Sequence, residues 1–159
     1  MKKYEFTGET KEIRLLFRTA TLHRIRATVA FGIVEVGDLG GWIEKEENLS
    51  HEGKAWVCGD AKVWGNAKVC GDAKVFSASH VLVIGAIGSR NDFTTFYRDK
   101  DNEITVKCGC FLGKIDRFLE KVIQTHGDSK YALVYRAAVE VAKLQIDLSG
   151  EAPKDADEE

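Results

Sequence analysis

The sequence lacks any long apolar run, and this absence argues against a membrane-spanning protein. The longest apolar stretch, from Val81 to Ile87, is interrupted by Gly85, whereas a spanning helix needs about 20 apolar residues. The first residues also lack the apolar segment of a signal peptide. We therefore expect a cytoplasmic protein that has no membrane partner.

The sequence also lacks a strong excess of charge of one sign. Its 23 Lys and Arg residues oppose 25 Asp and Glu residues, which gives a formal net charge of −2. Proteins that bind nucleic acid usually carry a basic patch or stripe. With 44% hydrophobic residues in 159, the composition is that of one ordinary globular domain, and we expect no nucleic-acid partner.

Cysteine is scarce, and its spacing fits neither a metal site nor a redox site. Cys108 and Cys110 are separated by one residue, whereas zinc and redox motifs use two. Cys58 and Cys70 occupy equivalent places in a repeat, two units apart, which disfavours a disulfide between them. We expect reduced, packed thiols, and we predict no metal and no cofactor.

What the sequence does contain is a six-residue repeat between residues 53 and 76. Its units read GKAWVC, GDAKVW, GNAKVC and GDAKVF, and a degraded fifth unit, SASHVL, follows. Alanine and valine stand two residues apart in each unit, so they share one face of a short strand. The Gly-Asp and Gly-Asn pairs are typical of tight turns. The pattern predicts short strands with alanine and valine in the core.

This spacing resembles the hexapeptide repeat of left-handed parallel β-helix proteins. Together with the lead-in GDLGGWIE at residues 37–44, it is similar to a small group of phage and bacterial proteins often catalogued as acyltransferases. The resemblance covers roughly residues 20 to 90. It implies that three units form one triangular coil and that three copies of the chain form a homotrimer. The stackings that it implies are Val57 on Val75, Val63 on Val81, and Val69 on Ile87.

We therefore predict a mainly β fold built on a short left-handed parallel β-helix of about two to three coils. An N-terminal β-hairpin would cap the β-helix, and a C-terminal β-hairpin and two α-helices would follow it. The predicted boundaries are 1–36 for the hairpin cap, 37–90 for the β-helix, 91–148 for the second hairpin with the helices, and 149–159 for a disordered acidic tail.

Bulky apolar residues stand at or near the predicted corners of the coils. A solvent-exposed apolar surface of this kind indicates an interface between subunits. The predicted oligomer interface consists of Trp56, Trp64 and Phe76.

The segment that follows the repeat looks least like scaffold. Its glycine lets a ligand approach the backbone, its arginine would bind an anion with help from a nearby helix N-terminus, and its aromatic residues would stack on a ring. This inventory predicts a nucleotide-like anionic ligand; the alternative is a polar joint between coils and hairpin. The predicted ligand-binding residues are Gly88, Ser89, Arg90, Asn91, Thr94, Thr95 and Phe96.

Three functions remain open from the sequence. The favoured one is a non-enzymatic trimeric binding module, phage-encoded by resemblance, that counteracts host defence by sequestering a nucleotide-like ligand or by docking on a host protein. The second is a small acyltransferase that uses acyl-CoA, with His80 facing outward as general base. The third is a structural assembly protein. Two coils offer only about 10 Å of wall for a pantetheine arm, so we predict no catalytic residue.

Overall fold

The computed structural model describes residues 2–149, which form three sheets and two α-helices. The predicted acidic tail covers residues 149–159, and all of it except Ser149 lies outside the described residues. The strands are β1 (Tyr4–Arg14), β2 (Thr19–Ala27), β3 (Leu39–Ile43), β4 (Trp56–Val57), β5 (Lys62–Val63), β6 (Lys74–Val75), β7 (Val81–Ile87), β8 (Asp92–Arg98), β9 (Ile104–Cys108) and β10 (Phe111–Lys114). The helices are α1 (Ile115–His126) and α2 (Lys130–Gln145).

The strands are divided among three separate sheets. The first has the order β1-β2-β3-β5, in which only the β3–β5 pair is parallel. The second has the order β10-β9-β8-β7 and is antiparallel throughout. The third consists of the parallel pair β4 and β6. The predicted mainly β character and the two helices are confirmed.

The predicted left-handed parallel β-helix is wrong. The named parallel strands pair over only two residues each, in β3 with β5 and in β4 with β6, and the sheets do not form a solenoid. The segment that would have supplied the last coil is instead the seven-residue strand β7, which pairs antiparallel with β8. A hairpin partner gives this strand a longer ladder than a two-residue parallel neighbour would.

One of the three predicted stackings is confirmed, and the other two are wrong for the same reason. Val57 does pair with Val75 across the β4–β6 ladder. Val81, however, pairs with Tyr97 of β8, and Val63 pairs with Ile43 of β3. Val69 bridges to Leu49, and Ile87 pairs with Asp92. The repeat therefore pairs both within itself and with the segment before it, while the strand after it belongs to the C-terminal sheet.

The burial pattern of the repeat is as the sequence predicts. Its alanines and valines are at most 4% exposed and belong to one core cluster together with residues of β2 and β3. They are Ala55, Val57, Ala61, Val63, Ala67, Val69, Ala73 and Val75. A second core lies between the C-terminal sheet and the helices, around Phe96, Val106, Phe118 and Val139.

Asn48 connects the segment before the repeat to the repeat by two hydrogen bonds, and a third bond closes its own turn. It is fully buried, and its Nδ2 donates to the carbonyl oxygens of Gly65 (3.1 Å) and Ala67 (2.9 Å). Its Oδ1 accepts the N–H of Lys45 at 2.9 Å. An amide is the side chain that this position requires, because it donates and accepts at once.

We predict that Asn48→Asp destabilises the protein by at least about 3 kcal/mol, because it removes both donors and buries a carboxylate against two carbonyl oxygens. Asn66→Asp is the matched control: Asn66 is exposed, and other units of the repeat have aspartate at that position. The control should change stability by no more than about 0.5 kcal/mol. Urea unfolding measures both, and equal effects of the two variants would contradict the assignment.

Candidate functional site

A cavity of about 200 Å³ lies where the predicted ligand-binding segment meets the helices. Its walls come from the turn after β7, the turn between β9 and β10, and both helices. The lining residues are Ser89, Arg90, Asp92, Cys108, Gly109, Cys110, Phe111, Phe118, Lys121, Val122, Thr125, His126 and Tyr135. The repeat itself contributes none of them, although it dominates the sequence.

Gly88 determines how closely α2 approaches the turn after β7. Its φ is +79°, and the N–H of Asn91 donates to its carbonyl oxygen at 3.3 Å, which closes the turn. A Cβ atom added at Gly88 would lie only 1.9 Å from the hydroxyl oxygen of Tyr135. The Tyr135 hydroxyl therefore rests against bare backbone, a position that only glycine permits.

Tyr135 forms the aromatic floor of the cavity. Its ring lies edge-on to Phe118 at 5.6 Å between centroids and stacks with His126 at 5.8 Å. Burial first, and then the neighbouring Cys108, raises the pKa of Tyr135 to about 12. The hydroxyl is therefore neutral at pH 7, and the side chain of Cys108 is its hydrogen-bond partner.

The charges around the cavity are mainly positive. Arg90 and Lys121 line it against the single carboxylate of Asp92. Among residues 2–149, neither Arg90 nor Lys121 forms an ion pair. Two cations without an internal partner at one cavity favour an anionic ligand.

The predicted ligand-binding residues divide into two groups in the structure. Ser89 and Arg90 line the cavity, and Gly88 backs it. Asn91 is exposed in the turn, where its φ of 48° is one that asparagine tolerates. The first part of the segment thus lies at the cavity.

The second part of the segment is buried in β8 and holds the fold together. Thr94 donates to the sulfur of Cys108 at 3.4 Å, and the hydroxyl of Thr95 accepts the N–H of Lys68 at 3.0 Å. Phe96 packs edge-on against Phe118. For these three residues the structure supports the polar-joint interpretation, with Thr95 joining the sheet to the repeat.

The predicted contribution of a helix N-terminus is wrong. The α1 residues at the cavity run from Phe118 to His126, in the middle and last turns of the helix. Lys121, His126 and Tyr135 also line the cavity but were not predicted, because they lie in the two helices, far along the sequence from the segment that follows the repeat. The CGCF segment at residues 108–111 lines the same cavity, and a Cβ at Gly109 would lie 3.4 Å from the Arg90 guanidinium.

His80 does not face outward. It belongs to a single turn of 3₁₀-helix, is only 8% exposed, and its Nδ1 accepts the N–H of Phe76 at 3.0 Å. Burial lowers the pKa of His80 below its ordinary value. His80 also lies outside the cavity, so the structure gives it a packing role instead of the position of a general base.

The bulky residues predicted at an oligomer interface are largely used within one chain. Trp56 is 5% exposed and packs edge-on against Phe31. Trp64 is half-buried, and only Phe76, which lies 5.0 Å from the guanidinium of Arg98, exposes a substantial part of its surface. Trp56 therefore belongs to the monomer core.

A second cavity, of about 570 Å³, lies between the lead-in segment, the repeat and the C-terminal sheet. His51 stands at its edge, stacked on Tyr4 at 4.0 Å between ring centroids, and its Nδ1 accepts the N–H of Lys3 at 3.0 Å. Three carboxylates, of Glu46, Glu47 and Glu52, line this cavity against two lysines, Lys68 and Lys107, so its net charge does not favour an anion.

The described residues contain no group of three or more His, Cys, Asp or Glu side chains that would hold a metal ion. No helix in this part of the chain is long and apolar enough to cross a membrane. Comparison of the sequence with models of protein families finds no match, and comparison with curated proteins finds none either. We therefore infer function from the cavity beside Arg90.

We predict that Gly88→Ala destabilises the protein more than Gly59→Ala does. Both glycines have positive φ, so alanine costs about 1–2 kcal/mol at either position. Gly59 has open space where a Cβ would lie, whereas at Gly88 the Tyr135 hydroxyl must move, at a further cost of about 1–3 kcal/mol. Equal losses in urea unfolding would contradict the close approach of Tyr135 to Gly88.

We also predict a loss of stability as the pH falls below about 6.5. Burial lowers the pKa of His51 and of His80, and each Nδ1 accepts a backbone N–H, so the folded state holds both rings neutral. As the pH falls, the unfolded chain binds protons at these two histidines before the folded chain does. The stabilisation from the two neutral rings is therefore present above pH 6.5 and declines as the pH falls.

In the double variant His51→Asn, His80→Asn, the amide oxygen of each asparagine can accept the N–H that the histidine Nδ1 accepted, but asparagine does not titrate. Unfolding midpoints at pH 7.5 and 5.5 should differ less in this variant; an unchanged difference would refute the assignment.

Proposed function

We propose that this chain is a non-enzymatic binding module that holds a small, ring-bearing anionic ligand of nucleotide-like chemistry in the cavity beside Arg90. The observation that carries the proposal is the pair of cations without internal partners, Arg90 and Lys121, at a cavity with aromatic walls. Both cations are exposed, so water solvates them in the free protein, and a bound anion would gain charge-assisted hydrogen bonds to both.

The side chains divide the recognition of such a ligand among them. The planar guanidinium of Arg90 suits two oxygens of one phosphate, while Lys121 adds a point charge. Phe111 and His126 offer ring faces or edges. Asp92 would accept a hydrogen bond from an amino or hydroxyl group of the ligand. The site would therefore prefer anions that carry such a donor over anions that do not.

The size of the cavity favours part of a mononucleotide over the pantetheine arm of acyl-CoA. About 200 Å³ is below the range of about 300–1,000 Å³ that is usual for drug-sized ligands, so it suits a ring or a phosphate group with part of its sugar. A pantetheine arm would have to lie outside it. With His80 buried elsewhere, the acyltransferase alternative gains no support from this site.

Binding without turnover would sequester the ligand, and a phage-encoded protein of this kind would counteract host defence by withdrawing a nucleotide-like signal. We propose a cytoplasmic location, where the four free thiols would stay reduced. Docking on a host protein, a purely structural role and the homotrimer stay predictions, and the solenoid wall from which the homotrimer was inferred is not formed.

We predict that AMP or 3′,5′-cyclic AMP raises the melting temperature of the full chain. A ligand at 100 times its Kd stabilises by about 2.7 kcal/mol, or roughly 5–10 °C for a chain of this size. Arg90→Gln should abolish most of this shift. Arg14→Gln removes the same charge from exposed β1 and should leave the shift unchanged.

Two further probes separate the alternatives. Inorganic phosphate should give a smaller shift than AMP, because it lacks a ring. Acetyl-CoA should give no shift beyond that of AMP, and a larger one would favour the acyltransferase alternative. If no nucleotide changes the melting temperature at millimolar concentration, or if Arg90→Gln leaves the shift intact, the proposal is wrong.

A further inference from the structure

Helix α2 exposes an apolar stripe on the side that faces away from the cavity. Leu133, Val141 and Leu144 are 58%, 47% and 89% exposed, and Ala137 is exposed between them. At 3.6 residues per turn, these four residues share one face, and Tyr135, which lines the cavity, lies on the opposite face. The stripe is therefore separate from the proposed ligand site.

A shallow groove of about 380 Å³ runs beside this stripe between the two helices. Leu119, Ile123 and Ala137 give it apolar walls, and Arg136 and Glu140 stand at its edge. Ile123 is itself 52% exposed. The small side chain of Ala137 would let another helix approach closely at this point.

The stripe has a two-fold symmetry in its sequence. Leu133 corresponds to Leu144, Val134 to Val141, and Arg136 to Glu140, and the midpoint of each pair falls within one residue of position 138. An antiparallel second copy of α2, centred on that point, would bring each residue beside its counterpart. Such a self-complementary patch is what a two-fold symmetric dimer requires.

The charged residues Arg136 and Glu140 favour the same antiparallel arrangement of the two α2 helices. Arg136 and Glu140 lie one turn apart on the same edge of the helix, and a two-fold axis across antiparallel helices brings like edges together. Arg136 would therefore meet Glu140 of the second copy, and the pair would occur twice. Within the described residues Arg136 has no ion pair, and Glu140 meets only Lys143, at 3.5 Å on the exposed surface.

We propose that the occupant of this face is a second copy of the same chain, bound through an antiparallel α2–α2 interface. Apolar burial of the stripe drives association, and the two Arg136–Glu140 pairs fix the register. The dimer does not depend on the proposed ligand, because Tyr135 and the cavity lie on the other side of α2.

Sedimentation equilibrium of the full chain tests the interface directly. The wild type should give twice the chain mass of 17.7 kDa at micromolar concentration, whereas three times that mass would support the homotrimer and contradict this interface. Ala137→Glu places two carboxylates near the two-fold axis and should weaken dimerisation at least tenfold. Ala30→Glu, at an exposed position away from α2, is the matched control and should dimerise as the wild type does. Circular dichroism checks that each variant is folded.

A charge exchange tests the antiparallel register. Arg136→Glu alone and Glu140→Arg alone should each weaken self-association, because each places like charges together. An equimolar mixture of the two variants should form a mixed dimer, and the double variant in one chain should dimerise again. A wild type that is monomeric at all concentrations, an oligomer indifferent to Ala137→Glu, or no recovery in the mixture would overturn the proposal.

Discussion

The contact between the Tyr135 hydroxyl and the bare backbone of Gly88 is the constraint on which the candidate site depends. It determines how near α2 lies to the turn after β7, and so how much space remains among that turn, the β9–β10 turn and α1. A side chain at Gly88 would move Tyr135, whose ring carries contacts to both Phe118 and His126. The packing of the second core and the shape of the cavity therefore both depend on the position of Tyr135.

The sequence predicted the interior of the repeat better than its architecture. The two-residue spacing of alanine and valine correctly indicated that these side chains are buried. Side chains two residues apart lie on the same face of a strand, and this does not depend on which strand is the pairing partner. Pairing partners depend on competition between distant segments, which no short motif encodes. Val81–Ile87 has strand character in any arrangement, and a long antiparallel partner in β8 prevailed over a two-residue parallel one.

Of the residues that line the candidate site, only those in the segment after the repeat were predictable from the sequence. Arg90 and Ser89 stood out because their segment was rich in groups that bind ligands and poor in helix or strand pattern. Lys121, His126 and Tyr135 come from two helices that lie far along the sequence from this segment, and only the tertiary arrangement brings them to one cavity. The reverse error concerns Thr94 and Thr95, whose hydroxyl groups looked available in the sequence but bond within the protein.

The most direct test of the account is a titration of the ¹⁵N-labelled chain with AMP, followed by amide chemical shifts. The account predicts that the largest changes occur at Ser89, Arg90, Gly109 and Lys121, around one cavity, and that they saturate together. Changes that cluster instead around His51 and the larger second cavity, or no change at millimolar AMP, would contradict it.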